Sequence, residues 1–363
     1  MKAASPWRVG RSLRIGRLRN EGARVTDTAI NERADGDAAG ARPGAQSTRP
    51  WHHPWRAWRS ILGRVWIMTG YHNLSLMAAG VAFYAFLSIA PLLGAIVMSY
   101  SLFADPQTVV QHMQTIFELV PADAARLISD QLIAVVSTAS SKAGIGLAIA
   151  LFLAVYGAMR ASSAIIQALN VIYEEEEGRN IIVTTLLSAA LTVGAIVAAI
   201  VGLLSAVGLG YLKFLTDYLG QAGVVTLQIV TWVIAALIAS AAFGFVYRFG
   251  PDRAPARWQW LTIGSVTATL LWLVATLGFG VYAANFADYN ATYGALGAVV
   301  VLLMWLFVSS FAVLIGAELN AEAERQTAID STTGPERPIG KRGARMADSL
   351  PSKRQIKPRR GQY

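Results

Sequence analysis

The sequence predicts an all-α, polytopic membrane protein with six transmembrane helices, an interfacial N-terminal helix and a periplasmic helical hairpin. Composition is the first reason: 54% of the 363 residues are hydrophobic and 15% are charged, whereas soluble domains carry roughly 25% charged residues. The second reason is local. Residues 74–103 are a run of 30 residues without a charge, which exceeds the roughly 20 residues that a helix needs to cross a bilayer.

The distribution of basic residues divides the chain into three parts. Of the 31 Lys and Arg, 13 lie in residues 1–70 and 10 in residues 320–363. Residues 1–50 and 326–363 have no long apolar run, so we expect disordered basic tails that contact the anionic leaflet of the membrane. Residues 51–325 are expected to form the membrane domain.

Six hydrophobic segments are predicted to span the membrane. Ahead of them, Trp55 and Trp66 lie on one helical face and Arg56 and Arg64 on another, as is typical of a helix that lies in the interface. Residues 104–142 carry amphipathic stripes and mixed charge, which predicts the helical hairpin. The predicted spans are residues 74–103, 143–168, 181–211, 224–247, 261–284 and 294–317.

Loop charge predicts the orientation of these spans. Arg179 and Arg253 lie in loops on the same side as both tails, whereas the opposite side carries few Lys and Arg. Cytoplasmic loops of membrane proteins are enriched in Lys and Arg. We therefore expect both termini to be cytoplasmic and the hairpin to be periplasmic.

The first and fifth spans each carry a stripe of small and polar residues at spacings of three or four, so each stripe lies on one helical face. One interpretation is helix packing through small residues. The other is that the two helices line a shared cavity for a lipid or amphiphilic substrate. Pro91 also predicts a kink in the first span. The candidate cavity residues of the two stripes are Tyr84, Ser88, Pro91, Ser265, Thr269 and Thr276.

Arg160 lies inside the second predicted span, where an ionisable residue is a functional hypothesis. Two interpretations stay open, because a snorkelling Arg at this depth also reaches the head groups. Its predicted internal partner is Glu318, at the end of the sixth span. The acidic run at residues 174–177 is interpreted as a solvated loop, with a cation-gathering mouth as the alternative.

Enzyme chemistry has little support in the sequence. The four histidines are His52, His53, His72 and His112, and no His-x-His or His-x-x-x-His spacing suits a metal. The chain has neither a Gly-x-Ser-x-Gly elbow nor a Walker sequence. Since cysteine is absent, disulfides and thiolate sites are excluded. We predict no catalytic residues, no metal, no cofactor and no specific nucleic-acid partner.

Three segments resemble the YihY/BrkB family of bacterial inner-membrane proteins: HNLSLMAAGVAFYAFLSIAPLL (72–93), ASSAIIQALNVIYEEEEGR (161–179) and YNATYGALGAVVVLLMWLFVSSFAVLIGAELNAE (289–322). The resemblance covers roughly residues 55–325. It implies six helices, a location in the bacterial cytoplasmic membrane and both termini in the cytoplasm. Members have carried labels as virulence-associated proteins, as a ribonuclease and as transporters, including of lipids, so the resemblance implies no single activity.

These observations predict a transporter-like or lipid-handling helical bundle. The alternative is a non-transporting membrane scaffold that recruits partners through its basic tails. A scaffold needs no polar inner faces, whereas this chain has polar stripes on two spans, which favours the first interpretation.

Overall fold

The computed structural model describes residues 42–101, 143–212, 216–285 and 295–351, and within these ranges the regular structure is helical. An isolated bridge pairs Ala256 with Thr332. This confirms the predicted all-α class. Besides a 3₁₀ turn at Pro50–His52, the helices are α1 (Trp55–Tyr71), α2 (Leu74–Ser101), α3 (Ala143–Ile172), α4 (Ile181–Leu212), α5 (Thr216–Phe249), α6 (Trp258–Asn285), α7 (Ala295–Gln326) and α8 (Arg345–Asp348).

The helices define a polytopic membrane protein. In the described part of the chain, α3 to α7 are each long and apolar enough to cross a bilayer, and the bent pair α1–α2 adds a sixth candidate. α2 to α7 coincide with the six predicted segments, although α5 begins earlier, at Thr216, and α7 continues through charged residues to Gln326. The predicted hairpin at residues 104–142 lies outside the described residues, as does the predicted loop at 286–292.

α1 meets α2 at a sharp bend of 63°. His72 caps α1, and its backbone N–H donates to Met68 O at 2.8 Å. Asn73 follows with a φ of +51°, a left-handed conformation that Asn adopts more readily than most residues. Two residues therefore turn the chain into α2, which is continuous past Pro91.

α6 and α7 cross with their backbones in contact at Gly264 and Gly316. A Cβ on Gly264 would lie 2.1 Å from Gly316 O, and a Cβ on Gly316 would lie 2.5 Å from Gly264 O. Tyr247 of α5 donates to Val313 O at 2.7 Å beside this crossing. The surrounding core includes Leu74, Ala78, Leu169, Ile172, Leu261, Ala268, Leu314 and Ala317.

The prediction of disordered tails is wrong for residues 42–50 and 326–351, which fold against each other over one end of the bundle. We call this pair of segments the terminal clasp. Arg42 donates to Pro351 O at 2.7 Å, and Ala328 N–H donates to Ala45 O at 2.7 Å. Arg342 is buried and donates to Ala347 O at 2.8 Å and Ala328 O at 2.5 Å. The composition of these segments gives no hydrophobic signal for a fold, because the clasp is held largely by hydrogen bonds between its own polar groups.

His53 joins the clasp to α7 and makes the join sensitive to pH. The ring is buried, and its Nε2 lies 3.2 Å from Ala323 O. Burial lowers the pKa of His53 below 6.5; the bond to Ala323 O opposes this shift and the charge of Arg64 reinforces it. Between the folded-state pKa and 6.5 the unfolded state binds more protons, so stability is complete above pH 6.5 and falls as the pH drops below it.

We therefore expect the clasp to open locally on acidification, at a cost of at most about 1.4 kcal/mol per pH unit. Hydrogen exchange of residues 42–54, corrected for intrinsic rates, should accelerate between pH 7.5 and pH 5.5. His53→Gln should remove most of this dependence. His52→Gln is the matched control, because His52 is an exposed neighbour. An equal dependence in wild type and His53→Gln would contradict the assignment.

Candidate functional site

The C-terminal half of α7 carries the buried charges of the molecule's best-defined polar site. Glu318, Glu322 and Arg325 follow at spacings of four and three, which places them on one helical face. Both carboxylate side chains are 0% exposed. We call the ion pairs that involve the last turns of α7 the charged layer; its members are Arg64, His72, Glu174, Arg253, Glu318, Glu322, Glu324 and Arg325.

Arg64 ties α1 to α7 within this layer. Its Nε donates to Glu322 Oε2, its Nη2 donates to Glu322 O at 3.1 Å, and its Nη1 donates to Ser60 Oγ at 2.9 Å. The side chain is buried. Arg64, which belongs to the predicted Arg face of α1, is thus turned towards the protein, because Glu322 offers its guanidinium a buried acceptor.

Arg253, in the loop between α5 and α6, forms a bidentate pair with Glu324 at 2.6 and 2.5 Å. Ser331 Oγ of the clasp donates to the same carboxylate at 2.5 Å, and the Arg253 guanidinium lies 4.9 Å from the Tyr173 ring centroid. Burial acts to lower the pKa of Arg253, but Glu324 outweighs it and the pKa lies above its usual value. The Arg253 guanidinium therefore stays charged.

The acidic run after α3 belongs to the same end of the bundle. Glu174 accepts from Arg325 at 3.0 and 3.2 Å, and Glu176 pairs with Arg345 at 2.8 Å. Hydrogen bonds from Arg179 hold the pKa of Glu177 below its usual range, against the opposing effect of partial burial. The acidic run is therefore solvated only in part: Glu174 joins the end of α3 to α7, whereas Glu176 is exposed as predicted for a loop.

His72 and Glu318 form the remaining pair of the layer. His72 Nδ1 lies 2.9 Å from Glu318 Oε2. The predicted pairing of Glu318 with Arg160 is wrong. Arg160 lies about 18 Å before the end of α3 at Ile172, at 1.5 Å per residue. His72, by contrast, lies beside the last turns of α7.

Arg160 instead lies over the ring of Tyr84, with 5.4 Å between the guanidinium carbon and the ring centroid. The Arg160 side chain is exposed, and it forms no ion pair with the carboxylates of the described ranges. One turn away, Ser88 lies against Gly157, and its hydroxyl donates to Ala85 O at 2.7 Å. Tyr84 and Arg160 are thus brought together, and Ser88 serves the α2–α3 crossing.

The predicted polar residues of α6 mostly satisfy their hydroxyls within the bundle. Ser240 Oγ donates to Ser265 Oγ at 3.1 Å, and Thr269 donates to Ser265 O at 2.8 Å. Thr276 accepts from Trp305 Nε1 at 3.4 Å. For Ser265 and Thr269, these bonds agree with the interpretation that the stripe serves helix packing.

A central cavity of about 250 Å³ lies between α2, α3, α5, α6 and α7 and is partly open to the exterior. α2 and α6 both contribute, as predicted, but through Val81 and Trp272. None of the six predicted stripe residues lines it. The complete lining is Val81, Ile165, Phe243, Trp272, Ser309, Ser310, Val313 and Leu314.

Sequence reasoning missed most of the charged layer. The sequence predicts that the last span ends at residue 317, so Glu322, Glu324 and Arg325 fall beyond the predicted spans although inside the predicted membrane domain. The available signal was the spacing of Glu318, Glu322 and Arg325, which continues the helical period of α7. Their Arg partners on α1 and in the α5–α6 loop had no local signal.

Fold and site together define an all-helical membrane bundle with an apolar cavity and a buried layer of charge. The family model for Virulence factor BrkB matches residues 68–339, and the chain belongs to this family. It is 27% identical over 289 residues to a UPF0761 membrane protein of Rhodospirillum centenum, covering 77% of this chain and 60% of the relative. A UPF0761 membrane protein of Aeromonas salmonicida is 26% identical over 259 residues, covering 71% and 86%.

A protein of Bacillus subtilis that is named ribonuclease-like protein YfkH is 28% identical over 187 residues, covering 51% of this chain and 68% of the relative. No solved structure matches the chain significantly. The comparisons therefore place the chain in a membrane-protein family without assigning it an activity.

Proposed function

We propose that this protein is a transporter-like bundle that binds an anionic amphiphile, with the apolar part of the amphiphile in the central cavity. The cavity is the observation that carries the proposal. Five of its eight lining residues are aliphatic or Phe, one is Trp272 and two are serines. Ligand sites are typically apolar clefts with a few polar groups. Ser309 Oγ is buried and has no hydrogen-bond partner among the described residues, so it is free to bind a polar group of a ligand.

Arg160 supports the anionic part of the proposal. Tyr84, which holds it, lies about 15 Å along α2 from Leu74, at 1.5 Å per residue, and a bilayer core is roughly 30 Å thick. Arg160 is therefore a cation at mid-membrane depth whose partner is not a carboxylate of the described residues. Val81 and Ile165 of the cavity lining lie about one to two turns from Tyr84 and Arg160. A phosphate-bearing lipid offers both an anion for Arg160 and a chain for the cavity.

We further propose a bacterial cytoplasmic membrane as the location, with both termini in the cytoplasm, on the basis of the Lys and Arg asymmetry of the loops. The charged layer and the clasp would then face the cytoplasm. The name of the Bacillus relative belongs to that protein, and we propose a non-enzymatic role here.

The test is binding and movement of fluorescent phosphatidylglycerol by purified protein in liposomes and nanodiscs. Ser309→Phe fills the cavity and should lower lipid binding and transbilayer movement about tenfold, equivalent to about 1.4 kcal/mol. Arg160→Gln should remove the preference for phosphatidylglycerol over phosphatidylcholine. Val274→Phe is the matched control, because Val274 is exposed on α6.

Unchanged binding in folded Ser309→Phe would overturn the cavity assignment. If wild-type protein neither binds nor moves the lipid, the scaffold interpretation takes the place of the transporter.

A further inference from the structure

The proposed function does not use the buried pair of His72 and Glu318. Their side chains are 4% and 0% exposed, and Nδ1 lies 2.9 Å from Oε2. The other two polar atoms, His72 Nε2 and Glu318 Oε1, are buried and have no hydrogen-bond partner among the described residues. Buried polar groups in proteins are ordinarily paired, so these two atoms require an explanation.

The other carboxylates of the charged layer differ from Glu318 in their partners. Glu322 pairs with Arg64, Glu324 with Arg253 and Glu174 with Arg325. A guanidinium stays charged at every physiological pH, so these carboxylates keep a permanent cation. Within the layer, Glu318 has only an imidazole, whose charge changes between about pH 5 and 8. Glu318 therefore lacks the permanent cation that the other three carboxylates have.

Burial of both side chains acts against a permanently charged Glu318, because a buried charge loses its solvation. Glu322 and Glu174 contribute negative charge near Glu318, and each is committed to its own Arg. Tyr173 also lies close to Glu318. The remaining charged groups reach these neighbours and not the pair: Arg64 and Arg325 pair with Glu322 and Glu174, and Arg253, paired with Glu324, lies against the Tyr173 ring.

Both members of the pair are connected to the cavity through short helical segments. His72 lies at the 63° bend that starts α2, and Val81 of the cavity lies seven residues past Leu74, about 10 Å along the helix. Leu314 of the cavity lies one turn before Glu318 on α7. A change in the His72–Glu318 bond therefore acts on the α1–α2 bend and on two walls of the cavity.

We propose that His72 and Glu318 form a proton-binding site that couples proton uptake to occupancy of the central cavity. The proton binds at His72 Nε2, with Glu318 as the counter-charge, and no other bond is made or broken. The coupling part of this proposal rests on the proposed amphiphile-binding function. The proton-binding part stands on the pair itself.

Proton binding is tested by ¹⁵N-histidine NMR of the full chain in nanodiscs between pH 5 and pH 9, with the His72 signals assigned by His72→Gln. His72 should titrate in this range, and Glu318→Gln should shift its midpoint or change its tautomer. Glu176→Gln is the control, since Glu176 is exposed. A His72 signal that does not titrate, or that is identical in wild type and Glu318→Gln, overturns the proposal.

Coupling is tested with fluorescent phosphatidylglycerol in proteoliposomes under an imposed pH gradient. The wild-type rate of lipid movement should change several-fold with the gradient, whereas Glu318→Gln should bind lipid but lose the gradient dependence. Retention of the dependence in Glu318→Gln overturns the coupling. If no lipid moves, the proposed function fails, and the NMR titration still decides whether the pair binds a proton.

Discussion

Replacing Glu324 by Gln is expected to lower the free energy of unfolding by about 3–5 kcal/mol, because it leaves the buried Arg253 guanidinium without its counter-charge. Both side chains of this pair are 2% exposed, and the contact is bidentate. The bidentate geometry and the desolvated setting make the loss large. Equilibrium unfolding in mixed micelles, with wild type and variant side by side, measures it.

The control is the Arg345–Glu176 pair, which has a similar separation of 2.8 Å but side chains 55% and 86% exposed. Glu176→Gln should change the free energy of unfolding by less than about 1 kcal/mol, as exposed ion pairs usually do. The double replacement Arg253→Met with Glu324→Leu should recover part of the loss, because it removes both buried charges. Equal losses for Glu324→Gln and Glu176→Gln would show that burial of the charged layer does not matter.

The second large effect is expected at the α6–α7 crossing. Gly264→Val should destabilise the bundle by about 3 kcal/mol, at the upper end of overpacking effects, because a Cβ at Gly264 would lie 2.1 Å from the backbone oxygen of Gly316. That oxygen belongs to a helix and cannot rotate away. The expected readout is a loss of folded, monodisperse protein in size-exclusion chromatography together with a lower midpoint of thermal unfolding.

Gly278→Val is the matched control on the same helix. No atom lies within 4 Å of a Cβ at Gly278, so the same substitution should be nearly neutral there, and it also tests the effect of a β-branched residue in α6. Similar losses at Gly264 and Gly278 would mean that helix propensity, and not the crossing, sets the cost.

The sequence predicted the membrane-spanning helices well, because their evidence is local. Runs such as residues 74–103 and 181–211 have no charge, and an apolar run of that length satisfies its backbone only as a helix when it lies in lipid. The helix ends were harder. α7 continues to Gln326 because Glu322, Glu324 and Arg325 find buried partners, and hydropathy counts each of them against a helix in the membrane.

The candidate site was predictable only in part, for a related reason. Tyr84 and Arg160 meet across α2 and α3, which their depths in the two spans allow. By contrast, Arg64 and Glu322 are separated by 258 residues in sequence, and nothing near either residue identifies the other. The cavity shows the same limit: α2 and α6 both line it, but which of their side chains reach it depends on how the helices pack, and these are Val81 and Trp272.

The order in which the chain is synthesised determines when the charged layer can form. Arg64, His72 and Arg253 all find their carboxylate partners between residues 318 and 324, on the last long helix of the described chain. While the ribosome is still synthesising the earlier spans, these cationic or titratable side chains have no such acceptors and must remain hydrated at the membrane surface. These three buried pairs can therefore form only after the last part of α7 has been made.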